Sequence, residues 1–124
     1  MQKRKRKTHT DEALVQLILA TLDDMKAERV VNLDVRHLTT MTDHMIIASG
    51  RSDRHVRAIA DALIERCKAA GIEPLGVEGQ EAGEWVLVDF ADAVVHVMLP
   101  RVREFYAIEN LWDMSARDES AGHA

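Results

Sequence analysis

Residues 84–112 constrain the fold more than any other stretch of the chain. Two valine-rich runs, Trp85 to Val88 and Ala93 to Leu99, flank a short acidic turn, Asp89-Phe90-Ala91-Asp92. Runs of this length and composition predict a β-hairpin. Pro100 lacks a backbone donor, so it ends the second strand and suits the first turn of a short helix. All five aromatic residues lie here: Trp85, Phe90, Phe105, Tyr106 and Trp112. A chain this sparing with aromatics concentrates them in one region to build a particular surface.

Strand alternation lets the hairpin be read face by face. With an even-numbered loop, residue 89 lies opposite 94, 87 opposite 96 and 85 opposite 98. Trp85, Leu87, Asp89, Val94, His96 and Met98 then share one face, and the other face is wholly apolar and belongs beneath helices. An apolar surface with a few polar tips has the make-up of a protein-binding patch. The competing expectation is that the C-terminal segment folds back over this face and makes Trp85 ordinary core.

The preceding chain supplies the helices. Thr10 is the expected N-cap of a helix whose stripe is Leu14, Leu17, Ile18, Leu22 and Met25. Val30 to Val35 reads as a strand, His37 to Asp43 as a loop, and Met45 to Ala48 as a buried strand. Ser52 caps a second helix with the stripe Val56, Ile59, Ala60, Leu63, Ile64 and Cys67, and Gly71 suits its left-handed C-terminal end. Pro74 to Gly79 is a short strand. The expected fold class is α/β (α+β): a mixed sheet of about five strands with two long helices on one face. Residues 11–114 form one domain, between a flexible basic tail (1–10) and a flexible tail (115–124).

With 124 residues and one cysteine, Cys67, the chain cannot form an internal disulfide, and a reducing cytoplasm suits it. No apolar run approaches the ~20 residues that span a bilayer. The net charge of −5 is uneven: apart from Lys3, Arg4, Lys5, Arg6 and Lys7, 11 basic residues face 21 acidic ones, a balance of −10. Such a body repels nucleic acid and attracts a basic protein surface. The basic run can touch RNA phosphates or stand as a solvated arm.

Catalysis and metal binding find little support. The six histidines are scattered, without the spacing of a zinc site. Ser49-Gly50 before a helix faintly suggests a phosphate-cradling turn, without the other glycines and the lysine of a P-loop. No Asp-x-Asp pair is present to hold two metals for nucleotidyl transfer. No cofactor is expected, and no enzyme activity.

Thr42-Asp43, Ala48-Ser49-Gly50, Ser52 with Val56, Ala58 and Ile59, Glu78-Gly79, Trp85 to Asp89, Val95-His96, Arg103, Phe105-Tyr106, Glu109 and Leu111-Trp112 follow one another at spacings that resemble the ribosomal silencing factors, or Iojap-like proteins. The likeness spans about Asp11 to Asp113. It departs at His44-Met45, where an aromatic pair is usual, at Met98, where Phe is common, and at Ile108, where Leu is usual. The resemblance implies a nucleotidyltransferase-like fold without the activity, and homodimers. It also implies binding to the large ribosomal subunit through its ribosomal protein number fourteen. Subunit joining would be blocked and translation repressed when nutrients are scarce. An assembly factor using the same contact is the alternative reading, and a nucleotidyltransferase the rival from another class. The expected platform is Trp85, Leu87, Asp89, His96 and Met98, extended by Tyr106, Glu109 and Trp112, with Arg103 bracing it or pairing with a partner carboxylate.

Overall fold

A computed structural model describes residues 2–108 and 110, with side chains from Glu12 onward. Glu109, Trp112 and the side chains of Lys3 to Lys7 lie outside the described residues. The elements are α1 (Gln2–Asp24), β1 (Glu28–Asp34), β2 (His44–Ser49), α2 (Asp53–Ala69), β3 (Gly76–Glu78), β4 (Trp85–Asp89), β5 (Ala93–Met98) and α3 (Pro100–Tyr106). The succession is the expected one. One boundary differs: α1 runs unbroken through Thr10, which is therefore mid-helix and not a cap. Lysine, arginine and glutamine are good helix formers, and here the preference of Thr for a cap yields to them.

The sheet order is β1-β2-β5-β4-β3. Strands β2 and β5 pair in parallel, and the other neighbours are antiparallel. α2 lies on the crossover between the two parallel strands, and both of its ends are fixed locally. The Ser52 hydroxyl accepts from His55 N at 3.1 Å. At the other end, Gly71 takes φ 84 and donates to Lys68 O, while Ile72 N reaches back to Cys67 O at 2.8 Å. These two bonds satisfy carbonyls that the helix end would otherwise orphan.

The hairpin pairs Trp85 with Met98, Leu87 with His96 and Asp89 with Val94, the register expected from an even loop. Its turn is tight. Ala91 sits at φ 74 between Phe90 O and Asp92 N, which bond at 2.9 Å, and the Asp89 carboxylate accepts from Ala91 N at 2.8 Å.

Two apolar clusters follow from the alternation. On one face Ile46, Ala48, Val86, Val88, Val95 and Val97 pack under Leu14, Ile18 and Leu22 of α1 and Val56, Ile59 and Leu63 of α2. Phe90 joins them, and Cys67 is fully buried there, its thiol pushed by desolvation up to about 11. On the opposite face Val35, Met45, Ile47 and Met98 form a smaller cluster with Leu33, Leu38, Trp85, Val102 and Ile108.

Candidate protein-binding face

The second face is half covered. Val102 of α3 and Ile108, two residues beyond that helix, pack against the cluster that holds Met98. Val35 and Leu38, from the segment that follows β1, belong to the same cluster. Met98 is thereby fully buried and His96 is only 7% exposed, which corrects the expectation that both present side chains to a partner. Alternation assigns a residue to a side of the sheet, but it carries no information about which later segment returns to cover it.

Trp85 stands at the boundary between covered and open surface. Its indole N–H donates to His96 Nδ1 at 2.9 Å, and its ring lies 5.0 Å from that of Tyr106, tilted by 50°. Accepting that bond leaves the His96 ring proton on Nε2, and desolvation lowers the imidazole from 6.5 to about 4. A neutral ring is therefore part of the platform at physiological pH. Tyr106 is 56% exposed, and Phe105 beside it, edge-on at 5.0 Å, is 81% exposed. These two rings on α3 are the outermost aromatic surface among the described residues.

Arg103 lies inside the fold. It is 1% exposed, and its guanidinium donates to the Ser49 hydroxyl at 2.9 Å, which ties α3 to the end of β2. Buried arginine is rare unless paired, which is why its sequence position gave no hint of this depth.

Beyond Trp85 the face opens into a groove of about 280 Å³, bordered by Thr39, Met41, Thr42, Met45, Leu87, Asp89, Val94 and His96. Leu87, Asp89 and Val94 are half-buried at its floor and side. Met41, 87% exposed, overhangs it. Sequence reasoning passed over Met41 because it sits in a loop without periodicity. Phe105 was noticed as an aromatic, but its outward direction is set by the burial of Arg103 two positions earlier.

The Ser49-Gly50 turn is not an open phosphate cradle. Gly50 N donates to Met98 O, Arg51 N to His55 Nδ1 and His55 N to Ser52, so these donors are engaged within the chain. The remaining nitrogen of His55 meets Met25 O at 2.8 Å, and the ring clamps the start of α2 to the end of α1. Among the described residues there is no group of three or more His, Cys, Asp or Glu placed to hold a metal. No described helix is long and apolar enough to cross a membrane.

The sequence profile of a family described as "Ribosomal silencing factor during starvation" matches residues 7–123. The chain belongs to the ribosomal silencing factor family. The family's ribosomal silencing factor RsfS of Chromobacterium violaceum is 46% identical over 101 residues, covering 82% of this chain and 83% of that one. The Haemophilus influenzae RsfS is 46% identical over 100 residues, covering 81% and 98%. A crystal structure of a Chromobacterium violaceum protein superposes with a TM-score of 0.81 at 45% identity, over 82% of this chain and 85% of that one. A mouse protein named for mitochondrial assembly of the ribosomal large subunit is 31% identical, and the match spans 47% of its length. The Chromobacterium violaceum structure thus shares this chain's fold over most of its length.

Proposed function

We propose that this protein silences translation without catalysis, by docking on the large ribosomal subunit through its ribosomal protein number fourteen. There it occupies space that the small subunit needs for joining. The observation that carries this reading is the strip that runs from exposed Phe105 and Tyr106 across half-buried Trp85 and Leu87 to exposed Met41. Aromatic and long apolar side chains of this kind dominate binding energy at protein interfaces. An acidic body of balance −10 outside the basic run favours a basic ribosomal protein as the occupant. Steric blocking asks only for tight, oriented docking, which a rigid sheet provides. The family description adds starvation as the setting, and the cytoplasm is the compartment where the reading applies.

Co-sedimentation with purified large subunits, followed by cross-linking from a cysteine placed at Met41, tests the partner. The reading expects a cross-link to ribosomal protein number fourteen. Cross-links confined to other proteins would contradict it.

A second reading is a factor for large-subunit assembly, favoured by the name of the mouse relative. It uses the same contact. A protein confined to assembly would leave the joining rate of mature subunits unchanged. The resemblance also brings homodimerisation into the proposal, and sedimentation velocity at rising concentration reads it.

A further inference from the structure

Met41 is the most exposed large apolar side chain among the described residues. Its place is nonetheless fixed. Met41 N donates to the Thr39 hydroxyl at 3.1 Å, and Leu38 N and Thr39 N both donate to Val35 O, at 2.9 and 3.0 Å. On the far side the Thr42 hydroxyl donates to His44 O at 3.3 Å. The loop after β1 therefore holds the Met41 thioether at the border of the groove that Met45, Leu87 and Val94 line. The other described sulfur atoms are sheltered. Met45, Cys67 and Met98 are buried, and Met25 packs half-buried against the main cluster. The Cys67 thiol, raised by desolvation to about 11, also keeps its proton at neutral pH and so lacks the reactive thiolate form.

Oxidation of sulfur follows access. We propose that Met41 is an oxidation site, and that its conversion to the sulfoxide by hydrogen peroxide loosens the grip of the sheet face on its partner; this rests on the docking reading above. A sulfur lone pair attacks one peroxide oxygen, and the S–O bond forms as the O–O bond breaks. The departing hydroxide takes the proton from the sulfur-bound oxygen and leaves as water. Sulfur gives up two electrons and the peroxide gains them. An apolar thioether thereby becomes a polar acceptor at the rim of an apolar groove, and it must be desolvated when the partner docks. Methionine sulfoxide reductases reverse the change, so the site works as a switch.

Limited treatment of the full chain with hydrogen peroxide, followed by peptide mass mapping and co-sedimentation with large subunits, tests this. Met41 should be oxidised ahead of Met25, Met45 and Met98. The treated protein should bind at least about tenfold more weakly, as when one well-packed interface side chain is lost. Methionine sulfoxide reductases with dithiothreitol should restore its binding. Met41→Leu should show no loss on treatment, measured against its own untreated affinity. Met1 and Met114 remain in that variant, so any effect of theirs would persist in it. Met41→Gln, polar and of similar length, should bind as weakly as the oxidised wild type. Oxidation of Met45 or Met98 as fast as Met41 would overturn the inference, and so would an equal loss in treated Met41→Leu. Undiminished binding by wild type fully oxidised at Met41 would overturn it too. A Leu87→Asp variant that does not bind would then show that the docking reading stands without the switch. Failure of the untreated wild type to bind would remove both.

Discussion

The indole nitrogen of Trp85 donates to His96 Nδ1 at 2.9 Å, joining opposite strands of the hairpin at the edge of the exposed strip. The bond requires a neutral imidazole. Folded His96 titrates at about 4, against 6.5 for the free group. Below pH 6.5 the unfolded chain therefore binds a proton that the folded chain refuses, and stability declines until pH 4. The loss is bounded at about 3 kcal/mol. Urea unfolding between pH 7 and 4 should show it, and His96→Gln should flatten the dependence over that window.

A different group takes over in stronger acid. Asp34 is held at about 2, from 3.8, chiefly by its hydrogen bond to Arg36. Its contribution is present above pH 3.8 and fades as pH falls towards 2. Both side chains are about half exposed, so the effect is small. Arg36→Gln should lower stability slightly and evenly above about pH 4, with its difference from the wild type vanishing as pH falls towards 2, a window distinct from that of His96.

Gly79 should tolerate no side chain. It takes φ 88, and a Cβ there would lie 2.0 Å from the Trp85 carbonyl oxygen, which is backbone and cannot rotate away. The β3–β4 connection would have to move. Gly79→Ala is expected to cost about 2–4 kcal/mol, from conformational strain and the displaced strand together. Denaturant midpoints measure it, and a cost below ~1 kcal/mol would mean that the connection relaxes freely.

Arg103 should behave as a latch for α3. Arg103→Met removes a buried guanidinium and strands the Ser49 hydroxyl, with an expected cost of about 2–4 kcal/mol. Ser49→Ala should cost about 1 kcal/mol. In Arg103→Met the emission of Trp85 should also shift to the red, because Tyr106 and its helix no longer shield the indole.

The hairpin register and the side of each of its residues were legible because β alternation has period two and the loop is even. Trp85, Leu87 and Asp89 fall on the face away from α1 and α2 for that reason, while Val86, Val88 and Phe90 fall beneath them. What covers that face was not legible. Met98 and His96 alternate with valines like any half-exposed pair, but Val102 and Ile108 pack against the cluster that holds Met98, and His96 lies against the Trp85 ring. Arg103 looked like a surface charge because nothing local announces its long-range bond to Ser49. Thr10 looked like a cap because capping preference is a local signal, and the helix-forming run before it carries α1 further. The family was legible from the succession of short motifs, and the half-open state of the platform needed the folded chain.

The central claim is that the strip from Tyr106 to Leu87 docks the protein where it obstructs joining. Light scattering on mixing the two ribosomal subunits measures joining directly. The wild-type protein should suppress it, and a Leu87→Asp, Tyr106→Ala variant with an unchanged hairpin should restore it to at least ~90% of the uninhibited amplitude at the same concentration. Full suppression by that variant, shown folded by circular dichroism, would contradict the account.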